Sequence, residues 1–225
     1  MVPPRIRVIL PVWRDRPALE TLLPRLLESW GSSELLVVDA GEDGSGDFAA
    51  SLGVPVLRMS PDQRGRARQM NAGAAQASDA DVLLFLHADT RLPGTARDAL
   101  NQAWNDGIVG GAFSRRFDSP SPFLRFTCAL ADLRGRCLGL YFGDQAIFAR
   151  RDAFARIGGF PKQDLFEDFD FSRKLKRQGT VRLLSPPVLS SARRFQREGA
   201  LLRTLKDLSL TVRHLLARRR ADRGM

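Results

Sequence analysis

The chain has 225 residues, 44 % of them apolar and 27 % charged, which suits one globular domain with its own core and excludes wholesale disorder. Thirty-five basic residues stand against 25 acidic ones, a net charge of +10. With only two cysteines (Cys128, Cys137) and two histidines (His87, His214), a disulfide framework, a four-ligand zinc site and a His-rich metal centre are excluded, and reduced cytosol is the simplest compartment.

Arg5–Val12 is a β-rich run and predicts the first strand. The apolar stretch is too short, and its flank at Arg14 wrong, for a signal peptide. No uncharged apolar run approaches the roughly 17–25 residues of a spanning helix. Leu19, Leu22, Leu23, Leu26 and Leu27 fall at helical spacing over Pro17–Trp30, with Pro24 as a kink. Glu34–Asp39 and Val54–Met59 predict two more strands, Arg64–Ala77 an Ala-rich helix, Asp81–His87 a fourth strand and Pro93–Trp104 another helix. Strands alternating with helices mean βαβ units and a mainly parallel sheet. Runs such as LLVV and VLLFL are apolar on both faces and belong in a sheet covered on both sides.

Beyond Ile108–Phe117 the pattern is mixed. Helices are predicted near Phe123–Leu138, Asp152–Ile157 and Glu167–Gln178, a β run at Gln145–Ala149, and a helix stop at Gly179. Ser185–Ser191, with Pro186 and Pro187, reads as a joint before a last helix on which Leu201, Leu205, Leu208, Val212 and Leu215 form one stripe. The expected organisation is a domain over residues 1–190 and a basic helical segment over 191–225. Only Lys162, Lys174, Lys176 and Lys206 are lysines, so the excess is arginine, which either serves phosphate recognition or reflects a G- and C-rich genome. The last segment concentrates it: from Arg193 onward ten basic residues face Glu198, Asp207 and Asp222. Such a tail suits an anionic partner. Phe195 is its only aromatic, so nucleic-acid stacking is poorly supported. Its leucine stripe either packs on the domain or lies on an anionic bilayer.

Parallel sheets place ligands at the carboxyl ends of their strands. Three such ends carry chemistry here: Pro11-Val12 with Asp15 soon after, Asp39 before AGEDGSG, and His87-Ala88-Asp89-Thr90. Asp39 and Asp89 then share one acidic rim, which a divalent cation or a hydrogen-bonding ligand compensates unless both residues merely cap turns and helices. The His87–Asp89 pair compares with a D-x-D site, which holds Mg²⁺ or Mn²⁺ against a diphosphate. Imidazole suits Mn²⁺ better, or His87 is a pairing partner within the rim. Gly41–Gly46 lacks the Walker A and G-x-G-x-x-G spacings and fits a turn around a nucleoside. Arg64, Arg66 and Arg68 open a helix and either meet phosphate or form a solvated face. Glu167, Asp168 and Asp170 open another, either as dipole-favoured surface acids paired with Arg173, Lys174 and Arg177 or with one of them as a general base.

Taken together these segments resemble the family 2 glycosyltransferases of the GT-A fold, from about Arg5 to Gly179. The resemblance rests on PVWRD (11–15), LVVDAG (36–41), RQMNAG (68–73), the Phe85–Pro93 region, GDQAIF (143–148), GGF (158–160) and Glu167-Asp168, in the family's order. It implies an α/β GT-A, Rossmann-like, mainly parallel sheet flanked by helices, with a C-terminal amphipathic basic helix. It implies an inverting, metal-assisted, hexosyltransferase-like enzyme that moves one sugar from a nucleotide sugar (UDP, GDP or dTDP type) to a small-molecule or lipid hydroxyl, with Mn²⁺ or Mg²⁺ as cofactor.

Carried over residue by residue, the resemblance puts Asp39 on the nucleobase, Asp89 on metal and diphosphate with His87 beside it, and Asp168 as catalytic base next to Glu167. Asp144 and Gln145 face the donor sugar or acceptor, and Arg193 and Arg194 approach the diphosphate. Pro11, Asp15, Gly41, Arg66, Arg68 and Asn71 complete the donor set. His87 departs from the family's first Asp. The Q-x-x-R-W motif and membrane helices of processive synthases are absent, so single transfer is expected, by a protein that is either wholly cytoplasmic or peripheral at the inner face of the cell membrane. HADT-, GDQ-, EDxDFSRKL- and SARRF-like segments are most similar to a compact bacterial subgroup associated with radical-SAM and selenium-related gene sets and arsenosugar synthesis. Two other readings stand beside this one. The first is a nucleotidyltransferase of related topology, although PVWRDRP lacks that class's glycine-rich loop. The second is a non-catalytic protein that binds a membrane or nucleic acid through its tail.

Overall fold

The first strands are apolar on both faces and need cover on both, and helices supply it. The computed structural model describes residues 2–163 and 165–223. In chain order the elements are β1 (Ile6–Val12), α1 (Arg16–Leu27), β2 (Leu35–Asp39), α2 (Ser45–Ser51), β3 (Val56–Arg58), α3 (Arg66–Gln76), β4 (Val82–Phe85), β5 (Thr90–Arg91), α4 (Ala96–Asn105), β6 (Gly110–Phe117), α5 (Pro122–Leu138), β7 (Ile147–Arg150), α6 (Arg151–Arg156), α7 (Glu167–Lys176), β8 (Val181–Ser190), α8 (Arg193–Glu198) and α9 (Ala200–Arg223). One sheet runs β3-β2-β1-β4-β7-β6-β8-β5.

The expected βαβ half is parallel: β1 pairs with β2 and β4, and β2 with β3. The second half is mixed. β7 is antiparallel to β4 and β6, β8 is parallel to β6, and β5 is antiparallel to β8. Two cores follow from the pleat. Val8, Leu10 and Val12 face Leu19, Leu22, Leu23 and Leu26 of α1 and Leu100 of α4. Ile9, Leu36, Val38, Leu83 and Phe85 face Met70 of α3, Phe154 of α6 and Phe171 and Leu175 of α7.

Two local expectations are corrected. Ser185–Ser191 is no joint, because Pro186 and Pro187 lie inside β8. There the register against β6 jumps from Phe113 with Leu184 to Arg115 with Val188. Proline cannot donate to a ladder, and a bulge is where a strand tolerates it. Gly41–Gly46 is a turn only in part, since Gly44 takes a left-handed φ of 78° and α2 begins at Ser45.

At the C-terminus α9 leans on α7. His214 stacks on Phe166 at 4.6 Å between centroids, and its Nε2 lies 3.3 Å from Asp170 Oδ2. Leu201 and Leu205 are exposed. Leu208, Val212 and Leu215 of the expected stripe, and the side chains beyond Leu215, lie outside the described ones. Among the described residues no helix is long and apolar enough to cross a membrane.

Helix α3 approaches the sheet through Gly73, where a Cβ would stand 2.5 Å from Ile9 Cγ2 and 2.9 Å from Val38 Cγ2. Gly73→Ala is therefore expected to cost about 1–3 kcal/mol by overpacking. Urea unfolding should show a lower midpoint at an unchanged slope.

Candidate active site

Where β1, β2 and β4 end, the chain must turn without leaving buried backbone unpaired. Gln69 of α3 ties the first two ends together, its Nε2 donating to Val12 O at 2.7 Å and Val38 O at 2.9 Å. Asp39 is 3 % exposed, and its oxygens accept from Gly41 N and Gly46 N, both at 2.9 Å. The structure therefore places Asp39 and Gly41 in a braced loop leading into α2. Pro11 is buried within β1.

After β4 the chain carries His87 and Asp89 into a cavity of about 580 Å³. Arg66, Asp144, Glu167, Asp168 and Arg194 line the same cavity. The two-residue strand β5 pairs with β8, and Thr90 Oγ1 lies 3.1 Å from Ser190 Oγ. Ser190 Oγ in turn donates to Asp144 O at 2.9 Å, which fixes the 143–145 turn beside the cavity. Gly143 N donates to Asp168 Oδ2 at 2.6 Å, and Phe169 N to Oδ1 at 2.7 Å. His87 packs against Gly143, where a Cβ would meet its ring at 2.6 Å.

The acids that open α7 are not a solvated face: Glu167, Asp168 and Asp170 are all buried. Burial pushes the Asp168 carboxyl up to about 7, and the neighbouring Glu167 charge adds to it, against the Gly143 and Phe169 amides and Arg66. Arg66 Nε stands 3.5 Å from Glu167 Oε1. Burial, and then Arg66, holds the His87 imidazole down to about 4, so it is neutral at neutral pH. Arg193 lies outside the cavity lining and bridges two carboxylates. It grips Asp15 with both nitrogens, one bond being 2.9 Å, and lies 3.5 Å from Asp89 Oδ2.

Other expected site residues are spent on backbone. Asn71 donates to Phe160 O at 2.8 Å and accepts from Phe160 N at 2.9 Å. Gln145 is fully buried and bonds Arg134, Phe142 N and Phe113 O. Arg68 is exposed and reaches Asp62 O at 3.3 Å. Three residues escaped the sequence reading. Besides Gln69 they are Arg115, which is ion-paired with Asp144, and Arg134; both arginines line the cavity. Arg115 had a signal, an arginine between Phe113 and Phe117 on one face of a strand. Arg134 had none.

Among the described residues no group of three or more His, Cys, Asp or Glu side chains gathers to hold a metal. His87 and Asp89 offer one neutral imidazole and one carboxylate. That donor set fits an ion that takes its remaining ligands from substrate phosphate and water.

Residues 7–157 match the model of glycosyl transferase family 2. A comparison with curated proteins returned no match. The mannosyltransferase PcManGT from Pyrobaculum calidifontis, in complex with GDP-Man and Mn²⁺, superposes with a TM-score of 0.66 at 21 % identity, over 85 % of this chain and 57 % of that one. S. aureus TarS 1-349 in complex with UDP-GlcNAc gives 0.62 at 15 %, over 83 % and 58 %. GalNAc-T7 with UDP, GalNAc and Mn²⁺ gives 0.62 at 12 %, over 84 % and 44 %. The chain thus spans about half the length of these structures, and likeness at such identities shows the fold.

Asn71→Ala should act through the Phe160 backbone. Two hydrogen bonds are lost and a part-buried amide is left bare, so a loss of about 1–3 kcal/mol is expected in urea unfolding. Nucleotide affinity of the folded fraction should change less than about threefold, which corresponds to under 1 kcal/mol.

Proposed function

The chain belongs to glycosyl transferase family 2, and on that premise we propose that it is an inverting enzyme moving a single hexose from a nucleotide sugar to a hydroxyl acceptor. Residues 1–190 are the catalytic domain in this reading, and 191–225 the basic helical segment. The observation that carries the reading is Asp168, a buried carboxylate held near 7 at the wall of the cavity. A base poised there takes a proton at physiological pH yet is mostly ionised just above it.

In the proposed reaction the acceptor hydroxyl gives its proton to Asp168 while its oxygen bonds to the anomeric carbon. The bond from that carbon to the diphosphate oxygen breaks, and the nucleoside diphosphate leaves with the electron pair. Glu167 raises the basicity of Asp168. Asp89 and His87 would hold Mn²⁺ or Mg²⁺, which when bound neutralises charge on the leaving diphosphate. Mn²⁺ in the PcManGT and GalNAc-T7 structures supports that assignment. Arg194, and Arg193 beyond it, approach the diphosphate; Arg66 and Arg68 add positive charge at the start of α3. Pro11, Asp15, Asp39 and Gly41 form the nucleoside side. Asn71 and Gln145 act as positioning residues, while Asp144 faces the sugar. GDP-Man and UDP-GlcNAc in the relatives support a donor of the UDP, GDP or dTDP type. The acceptor is a small molecule or lipid, and the protein works in the cytoplasm, either free or peripheral at the membrane. The HADT, GDQ, EDFDFSRKL and SARRF segments support the compact radical-SAM-associated subgroup.

A thermal-shift panel of UDP, GDP, dTDP, ADP and CDP, each with and without Mn²⁺, tests the donor site. One diphosphate at about 100 times its Kd should add roughly 2.7 kcal/mol. The shift should depend on Mn²⁺ and vanish in Asp89→Ala; no shift with any of them overturns the reading. With the donor so identified, Asp168→Asn should lower transfer about 10²–10⁴-fold while nucleotide binding persists. Because the Asp168 carboxyl is raised, its active ionised form is lost as pH falls. The wild-type rate should therefore drop about tenfold per pH unit below about 7 and level off above it. A flat profile between pH 5 and 8 would remove Asp168 from the base role.

A further inference from the structure

The cavity has a second charged wall, built from α5 and β6. Arg134 of α5 donates from Nε to Leu140 O at 3.1 Å and from Nη2 to Gln145 Oε1 at 2.9 Å. Its guanidinium carbon lies 4.1 Å from the centroid of the Phe142 ring. All three partners are neutral. Among the described residues Arg134 forms no ion pair: the nearby Asp132 is held by Arg116 at 3.1 Å and Asp144 by Arg115. Burial, and then the charge of Arg115, pulls Arg134 down to about 10, so it keeps its proton at neutral pH.

The direct contacts of Arg134 are neutral, while Asp144, Asp168 and Asp132 act on it only at a distance, so a directly bonded anion is the partner it lacks. Arg115 stands beside it, buried and committed to Asp144. Arg134 is also fixed by two bonds and a ring, so little side-chain entropy is lost on binding. Phe117, Leu130, Phe142 and Phe195 make the neighbouring walls apolar. Asp168 shares the cavity and is close enough for its charge to act on Arg134. In the proposed reading Asp89 and Arg194 meet the donor diphosphate, which leaves this wall for the other substrate.

We propose that Arg134 binds an oxyanion on the acceptor, a phosphate or carboxylate carried beside the hydroxyl that meets Asp168. Phe142 and Leu130 take the apolar part of that molecule. The proposal rests on the transferase reading, since it places the acceptor by Asp168, and it narrows the acceptor to an anion.

The test uses the full chain saturated with the nucleoside diphosphate and Mn²⁺ found in the panel, so that the donor's phosphate sites are filled. Hexyl phosphate, hexanoate, inorganic phosphate and hexanol are then titrated by calorimetry. Hexyl phosphate and hexanoate are expected to bind and hexanol to fail. R134Q should weaken hexyl phosphate by roughly tenfold or more, as loss of a charge-assisted bidentate contact does, with nucleoside diphosphate affinity unchanged. R134K should keep part of the affinity, because it retains the charge without the fork. Inorganic phosphate as tight as hexyl phosphate identifies a small phosphorylated acceptor; a clear preference for hexyl phosphate identifies an amphiphile such as a lipid phosphate. Equal hexyl phosphate affinity in wild type and R134Q overturns the proposal. So does hexanol binding as tightly as hexyl phosphate, a result that needs no variant to fold. Failure of every nucleoside diphosphate to bind in the panel is a different result and removes the transferase reading instead.

Discussion

The hydrogen bond from Gly143 N to Asp168 Oδ2 is the contact on which the cavity depends. It joins the 143–145 turn to the first turn of α7 and brings His87 against the one residue that has no Cβ to displace it. A carboxylate buried at a helix N-terminus gains from the dipole and from amide donors and loses by desolvation. At Asp168 desolvation and the charge of Glu167 win, which leaves a carboxyl near 7 where an exposed one would be near 4. Two contacts hold the turn in place from the other side, the Ser190 bond to Asp144 O and the β5–β8 pairing. The short antiparallel strand β5 thus links the cavity to the edge of the sheet.

Charge compensation follows a second rule, that buried or crowded carboxylates need a fixed cation. At the strand ends Arg193 grips Asp15 and approaches Asp89. Arg115 answers Asp144, and Arg66 stands beside Glu167. Arg134 breaks the pattern, since its direct contacts are a carbonyl, an amide oxygen and a ring, with Asp132, Asp144 and Asp168 acting on it only at a distance.

Much of the fold was legible. The LLVV and VLLFL runs place β2 and β4 at the sheet centre because only burial on both faces tolerates them, and the leucine spacing of α1 places that helix on the core. The second half was less so. Pro186 and Pro187 read as a joint because proline interrupts a ladder, yet a register jump opposite Phe113 and Arg115 absorbs them within β8. A bulge is a property of two strands together, and one strand's sequence does not contain it. The acids of α7 were ambiguous for a like reason: surface pairing and a buried base present the same letters.

The sequence by itself determined the parallel half of the sheet and the family resemblance that residues 7–157 bear out. These are set by periodicity and local motif, which lie along the chain. Tertiary structure alone decided that Asn71 braces the Phe160 backbone, that Gln145 ties Arg134 to the Phe113 and Phe142 backbone, that Arg193 reaches Asp15 across 178 positions, and that Arg134 lines the cavity without an ion pair among the described residues. Burial and charge pairing depend on what other elements bring alongside, and that information exists only once the chain has closed on itself.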